Sequence, residues 1–337
     1  MKPVCFKSPP LWGVALISLC LWQAVTASLL PPLVKTIPLT GVEGRIDHLA
    51  LDVSGRRLFV AAIGNNSVEV IDLEKGERIH SITGLDEPQG VLYNPDTKEI
   101  VVSSGGDGTC KFYSAQTYEL LRTATVSADA DNLRLDTEGN RIYVGCGDGM
   151  ISALNAGNGT RMVGSDVKLP EHPESFQVEQ FGSRIFANLP EQGKIAVLDR
   201  GEQRLKEMWA LDSVKSNFPM ALDEPDHRLF IGCRHPSRLV VLGTDQGEFI
   251  ASLECVGDAD DVFYDDKRNR IYVTGGEGFM DVFRIHDPNH YFLEGKIPTA
   301  RGARTCLLSA ELNALYLAVP HHGPQPAEIR VYDLLAK

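Results

Sequence analysis

The chain has 337 residues, 43% of them hydrophobic and 23% charged, with a formal net charge of −12. That composition supplies a sizeable apolar core and excludes global disorder. The acidic balance, with no run of Lys or Arg to interrupt it, excludes nucleic acid and anionic membrane surfaces as natural partners.

The first segment differs from the rest. Lys2 and Lys7 precede an apolar run from Leu11 to Ala27, and Val25-Thr26-Ala27 places small residues where a signal peptidase cuts. We expect residues 1–27 to be a secretory signal peptide and residues 28–337 to form the mature protein, exported to the periplasm or the exterior, with no stable membrane span after cleavage. Leu19 before Cys20 does not fit a lipidation signal. Removing residues 1–27 takes away two lysines and no acid, so the charge of −12 becomes −14. Five cysteines remain: Cys110, Cys146, Cys233, Cys255 and Cys306. They are too scattered for a disulfide framework, and without Cys-x-x-Cys or Cys-x-x-Cys-His there is no redox dithiol and no covalent haem c.

Beyond residue 27 the sequence repeats. The triplets starting at Leu58, Ile100, Ile142, Ile185, Leu229, Ile271 and Leu315 are spaced 42, 42, 43, 44, 42 and 44 residues apart. Within the first unit the alternation predicts strands over His48–Val53, Leu58–Ala62, Ser67–Leu73 and Arg78–Thr83, joined by turns at Ser54-Gly55, Gly64-Asn65-Asn66 and Glu74-Lys75-Gly76. Four short strands every 40–45 residues describe a propeller blade, and no 3.6-residue rhythm supports a helical solenoid. The seventh unit ends after its third strand, Glu328–Leu334. Leu33–Thr40 reads like the fourth-strand stretches of other units, such as Leu120–Val126, and is expected to close the ring. The fold class is therefore all-β: one seven-bladed β-propeller of four-stranded antiparallel blades, closed by an N-terminal strand.

Leu58-Phe59-Val60-Ala61-Ala62-Ile63-Gly64-Asn65-Asn66 followed by Val68-Glu69-Val70-Ile71-Asp72, Ile271-Tyr272-Val273-Thr274, and Ala196-Val197-Leu198-Asp199 resemble the YVTN-repeat β-propellers. The resemblance spans nearly all of the mature chain and implies an exported seven-bladed propeller. It implies no particular activity.

Because the first strand of each blade lines the channel, its starting residues ring one mouth. Twelve residues before the middle of each apolar triplet stand Asp47, Gln89, Asp131, Glu174, Phe218, Asp260 and Arg304; the adjacent positions add His48, Asn132 and Asp261. Asp131 and Asp260 share the local pattern Asp-Ala-Asp followed by Asn or Asp. Clustered carboxylates with amide partners suit Ca²⁺ or Mg²⁺ as cofactor, although a polar channel is also what a ligand-free propeller would have. Arg304 is expected to be a countercharge to this ring. Loops between second and third strands open on the same face and bring His235, His321 and His322 toward it. The stretches Gly105-Gly106-Asp107-Gly108 and Gly145-Cys146-Gly147-Asp148-Gly149 read as hairpins, since a strand and not a helix follows each.

These residues point to a binding or scaffold module with a small molecule, peptide or protein as partner at the channel mouth. A metal-assisted propeller enzyme of the lyase or lactone hydrolase type, using the same face, is the alternative; it rests on fold analogy. An accessory electron-transfer subunit is disfavoured by the missing haem and cysteine ligands. The export reading predicts a mature N-terminus at or near Ser28. Intact mass of the exported protein checks it, and retention of Leu11–Ala27 would replace the signal peptide with a membrane anchor.

Overall fold

The computed structural model describes residues 30–335 together with Met1 and Val4; the expected signal segment, 1–27, lies outside the described residues but for those two positions. The described chain forms seven four-stranded antiparallel sheets. Their innermost strands are Leu49–Asp52, Pro88–Asn94, Ala130–Asp136, Phe176–Val178, Lys215–Asp223, Ala259–Asp265 and Cys306–Ser309. Each packs against the innermost strand of the next blade, and the seventh touches the first, so the sheets form a ring. Among the described residues the helical content is one short 3₁₀ turn, Ile63–Asn65, and no helix is long and apolar enough to cross a membrane.

The repeat period gives the ring its core. Side chains alternate between the faces of a strand, and in the second strand of each blade both faces are covered. In the third blade Ile142 and Val144 pack toward the second blade, while Tyr143 packs toward the fourth. Leu58 and Val60 of the first blade likewise face the seventh, and Phe59 faces the second. Seven apolar clusters result, one at each blade boundary. This explains why the middle strands read as unbroken β-branched and aromatic runs.

The seventh sheet is completed from the other end of the chain. Leu33–Pro38 pairs antiparallel with Glu328–Asp333, from Leu33 opposite Tyr332 to Pro38 opposite Glu328. Ile37, fully buried, enters the cluster that joins the seventh and first blades, beside Ile46, Leu58 and Ile329.

A second device sits on the face opposite the strand starts. The buried Asp52 carboxylate accepts from Gly55 N–H at 2.9 Å and pairs with Arg57 at 2.6 Å. Arg57 reaches on to the Ala115 carbonyl of the second blade. The pattern recurs around the ring: Arg184 donates to the Thr244 carbonyl, Arg228 Nε to Pro288 O at 2.7 Å, and Arg268 Nε to Leu334 O at 2.9 Å. In these four each arginine near the inner hairpin latches onto the following blade, satisfying a carbonyl that packing would otherwise leave unpaired.

Closure through Leu33–Pro38 predicts that Ile37→Ala costs about 2–5 kcal/mol of stability, from lost burial and the cavity left behind. Starting the chain at Gly41 should expose the edge of Glu328–Asp333 and cause aggregation. Denaturant melts and light scattering read both effects, and unchanged behaviour of both proteins would show that the first strand does not hold the ring shut.

Candidate functional site

The mouth is built by the residues that lead into the innermost strands. In the third and sixth blades Asp129 and Asp258 take left-handed backbone, with φ of 52° and 53°, a conformation that aspartate tolerates better than most residues. Their carbonyls accept from Gly147 N–H and Gly276 N–H, both at 3.0 Å. A Cβ on Gly147 would come within 2.5 Å of Asp129 Cβ, and one on Gly276 would strike the Asp258 carboxylate. A Cβ on Gly105 would meet the Gln89 amide in the same way. The glycines of these hairpins leave room for the side chains of the mouth.

The seven residues expected from repeat register, Asp47, Gln89, Asp131, Glu174, Phe218, Asp260 and Arg304, all line one cavity of about 240 Å³ at the channel mouth, as do His48 and Asn132. Four further residues, Arg45, Asp129, His172 and Arg234, line it too and were missed. Three of them, Arg45, Asp129 and His172, stand two places before a register residue, in the segments that lead into the innermost strands. Asp129 was already visible as the first acid of the Asp-Ala-Asp pattern. Arg234 has no comparable signal; it enters from the loop-forming end of the second strand in the fifth blade.

Four expected positions fall elsewhere. Asp261 turns to the other side of its strand, where its carboxylate accepts from Cys306 N–H at 2.7 Å and, with Arg134, lines a second cavity of about 440 Å³ farther along the channel. His235 lies on the mouth face but outside the cavity, held by Ser216 Oγ at 3.0 Å. His321 pairs with Glu43 at 2.7 Å, while His322 bridges Gln325 through the backbone, so neither reaches the cavity. The loops do open on the expected face, but local partners hold the His235 and His321 rings outside the cavity, and the His322 backbone is tied to Gln325.

Charge is unevenly distributed within the mouth. On one side Arg304 meets Asp260 at 2.8 Å and Asp258 at 3.1 Å. Arg234 joins both aspartates and lies 3.7 Å over the Phe218 ring. Arg304 is thus the countercharge expected, shared with Arg234. On the other side Arg45 pairs with Asp47 at 2.8 Å, and Gln89 donates to Asp129 at 2.7 Å. Asp131 is less well served. His48 Nε2 stands 3.7 Å from its Oδ1 and His172 Nε2 stands 4.0 Å from its Oδ2, both too long for hydrogen bonds. Its Oδ1 is buried with no hydrogen-bond partner. The Glu174 carboxylate forms no ion pair or hydrogen bond among the described residues, although its backbone carbonyl accepts from Asn132 Nδ2 at 2.6 Å.

Protonation follows from this imbalance. Burial, reinforced by Asp47, Glu174 and Asp129, holds the Asp131 carboxyl well above the usual range. Burial and the Asp260 charge push Glu174 up to about 7, and burial lifts Asp260 to about 6 against the pull of Arg304 and Arg234. Desolvation pushes the His48 and His172 imidazoles down. The mouth therefore concentrates carboxylates that give up protons reluctantly beside imidazoles that take them reluctantly. Among the described residues no group of three or more His, Cys, Asp or Glu converges to hold a metal ion. A Ca²⁺ or Mg²⁺ ion, one of the two readings open from the sequence, finds no such cradle among the described residues, where guanidinium groups pair with Asp47 and Asp260.

No family model matches the chain. It is 29% identical over 104 residues to the uncharacterized protein YncE of Salmonella typhi, which is 31% of this chain and 29% of that protein. It is 35% identical over 86 residues to an uncharacterized WD repeat-containing protein, sll1491, of Synechocystis, covering 25% of this chain and 23% of the relative. The matched region thus spans less than a third of either relative. Among solved structures it resembles a chain of Kuenenia stuttgartiensis hydrazine synthase, with a TM-score of 0.76 and 14% identity over 89% of this chain and 99% of the other. A chain of the mitotic checkpoint complex gives the same TM-score at 12% identity, covering 99% of this chain and 98% of the other. Likeness at such identity concerns the fold alone. Repeat pattern, topology and these matches together make the chain a seven-bladed β-propeller.

The raised Glu174 carboxyl has a thermodynamic consequence. Because the folded state holds its proton more tightly than the unfolded chain, this group makes stability fall as pH rises from the ordinary carboxylate range through about 7. Glu174→Gln should therefore stabilise the protein by on the order of 1–3 kcal/mol at about pH 8 and by nothing below about pH 4. Denaturant melts across pH measure the difference, and superimposable curves for the two proteins would contradict it.

Proposed function

We propose that this chain is an exported propeller of the YVTN-repeat kind that works as a binding module, taking a small molecule or a short segment of a peptide or protein partner at the acidic mouth. The observation that carries this reading is the convergence of a side chain from each of the seven blades on one cavity of about 240 Å³. A volume below the roughly 300–1,000 Å³ of drug-sized pockets suits a compact ligand or a single side chain. The desolvated carboxylates support the reading, because burying unpaired charge destabilises the fold and is retained where it does something else.

Export rests on the order of charged, apolar and small residues in the first 27 positions. The cysteines are compatible with an oxidising compartment. All five are buried and unpaired, and burial pushes Cys146, Cys233 and Cys255 up to about 12, which suppresses the reactive thiolate.

The test is a small-molecule screen by thermal shift on the wild-type protein, repeated on Glu174→Arg, which fills the mouth and reverses one charge without breaking an ion pair. Ligands that raise the melting temperature of the wild type should lose their effect in the variant. Ligands that shift both proteins equally would place the site away from the mouth.

A further inference from the structure

We infer that the mouth is a receptor for a protonated primary amine, seated between the carboxylates of Asp131 and Glu174; this rests on the mouth being the binding site. Five carboxylates line the cavity, from Asp47, Asp129, Asp131, Glu174 and Asp260, against three guanidinium groups, from Arg45, Arg234 and Arg304. The field inside favours a cation. The guanidinium groups of Arg234 and Arg304 are committed to the Asp258 and Asp260 side. The unclaimed negative charge is on the opposite side, at Glu174 and Asp131.

The second observation is Asp131 itself. Its side chain is 9% exposed, it lines the cavity, and its Oδ1 has no hydrogen-bond partner. The neighbouring Asn132 Nδ2 donates to the Glu174 carbonyl at 2.6 Å and to Asp131 Oδ2 at 3.4 Å, which leaves its own buried Oδ1, like Asp131 Oδ1, without a donor. Buried acceptors left unmatched in this way cost free energy until a donor or a compensating charge arrives. The two imidazoles do not supply that charge, because burial keeps both His48 and His172 disinclined to protonate.

The arrangement selects among cations. Asp131 and Glu174 come from the third and fourth blades, while Asp47, from the first, is already paired with Arg45. An ammonium group offers three diverging N–H donors, each reaching about 2.7–3.2 Å, and so can span carboxylates set apart. Calcium needs six to eight oxygens drawn in to about 2.3–2.6 Å, and the described residues show no such convergence. A guanidinium fork is matched to one carboxylate edge and not to two on separate blades. The Phe218 face, which could otherwise stack on a quaternary cation, is already covered by Arg234.

The experiment is calorimetric titration of the full mature protein with cadaverine, with Nα-acetyl-lysine amide, with hexanol as neutral control and with CaCl₂. Either amine should bind with one-to-one stoichiometry at about pH 8 while hexanol does not. Tighter binding of cadaverine marks a free alkylamine as the ligand, and tighter binding of the lysine derivative marks a side chain displayed by a peptide. The amine stays protonated to about pH 10, so pH dependence reports the receptor. Glu174 faces Asp260, Arg234, Asp47 and Asp129; Asp131 faces Asp47, Glu174, Asp129, Arg45 and the two histidines. As Glu174 takes up its proton below about pH 7, affinity should fall at least about tenfold between about pH 8 and pH 5.5. Asp131→Asn with Glu174→Gln should abolish binding and its proton release, and Glu174→Gln alone serves if the double variant melts early. Amine binding no stronger than that of hexanol, or equal in wild type and variants, or calcium bound one-to-one in preference, overturns the inference. A neutral or anionic ligand whose binding Glu174→Arg abolishes would overturn the amine while leaving the mouth as the site.

Discussion

Burial between neighbouring blades is the interaction on which everything else depends. A lone four-stranded sheet of this length has two apolar faces and nothing to cover them, and here each face is covered by the next sheet around the ring. The seven boundary clusters make the fold cooperative in a circle, so the last boundary matters as much as the first. Ile37 sits at that boundary. The strand that carries it comes from the opposite end of the chain, which turns a linear array of repeats into a closed one.

The mouth is a by-product of closure. Seven inner strands pointing the same way bring seven equivalent positions to one rim, and whatever residues stand there are held at close quarters by backbone that the rest of the ring makes rigid. With Asp or Glu at four of those positions, like charges are forced together in a partly dry space, and the free energy of the blade boundaries sustains the resulting repulsion. Arg45, Arg234 and Arg304 relieve it unevenly: Asp260 is crowded with cations, whereas the two imidazoles beside Asp131 stand 3.7 and 4.0 Å away, too far to donate. That unevenness gives the cavity its polarity.

The fold was legible because the repeat period and strand alternation are local signals repeated seven times, and errors at one blade are corrected by the other six. Register carried this to the cavity, placing Asp47 and Arg304 at one rim although they are far apart in the chain. It was less informative where a side chain's path depends on a neighbour. His235 and His321 belong to loops on the correct face but are captured by Ser216 and Glu43. Asp261 follows Asp260 where the strand register shifts and is drawn to the Cys306 N–H, whereas the equivalent His48 and Asn132 stay at the cavity, a difference that proximity in sequence obscures. Gly105, Gly147 and Gly276 read as turn glycines, and their tertiary duty of leaving space for Gln89, Asp129 and Asp258 needs the neighbouring strand to be in place. The arginine latches were hidden for the same reason: Arg57 and Ala115 meet only once two blades have packed.

The account turns on the claim that the ring holds mouth carboxylates in an environment where they resist ionisation. Carboxyl carbon chemical shifts, followed by NMR through a pH titration of the isotope-labelled protein, measure this directly. The account predicts a side-chain carboxyl with a midpoint near 7 that disappears in Glu174→Gln, and a second near 6 belonging to Asp260. Titration of every glutamate and aspartate within the ordinary carboxylate range would contradict it and leave the channel an ordinary solvated opening.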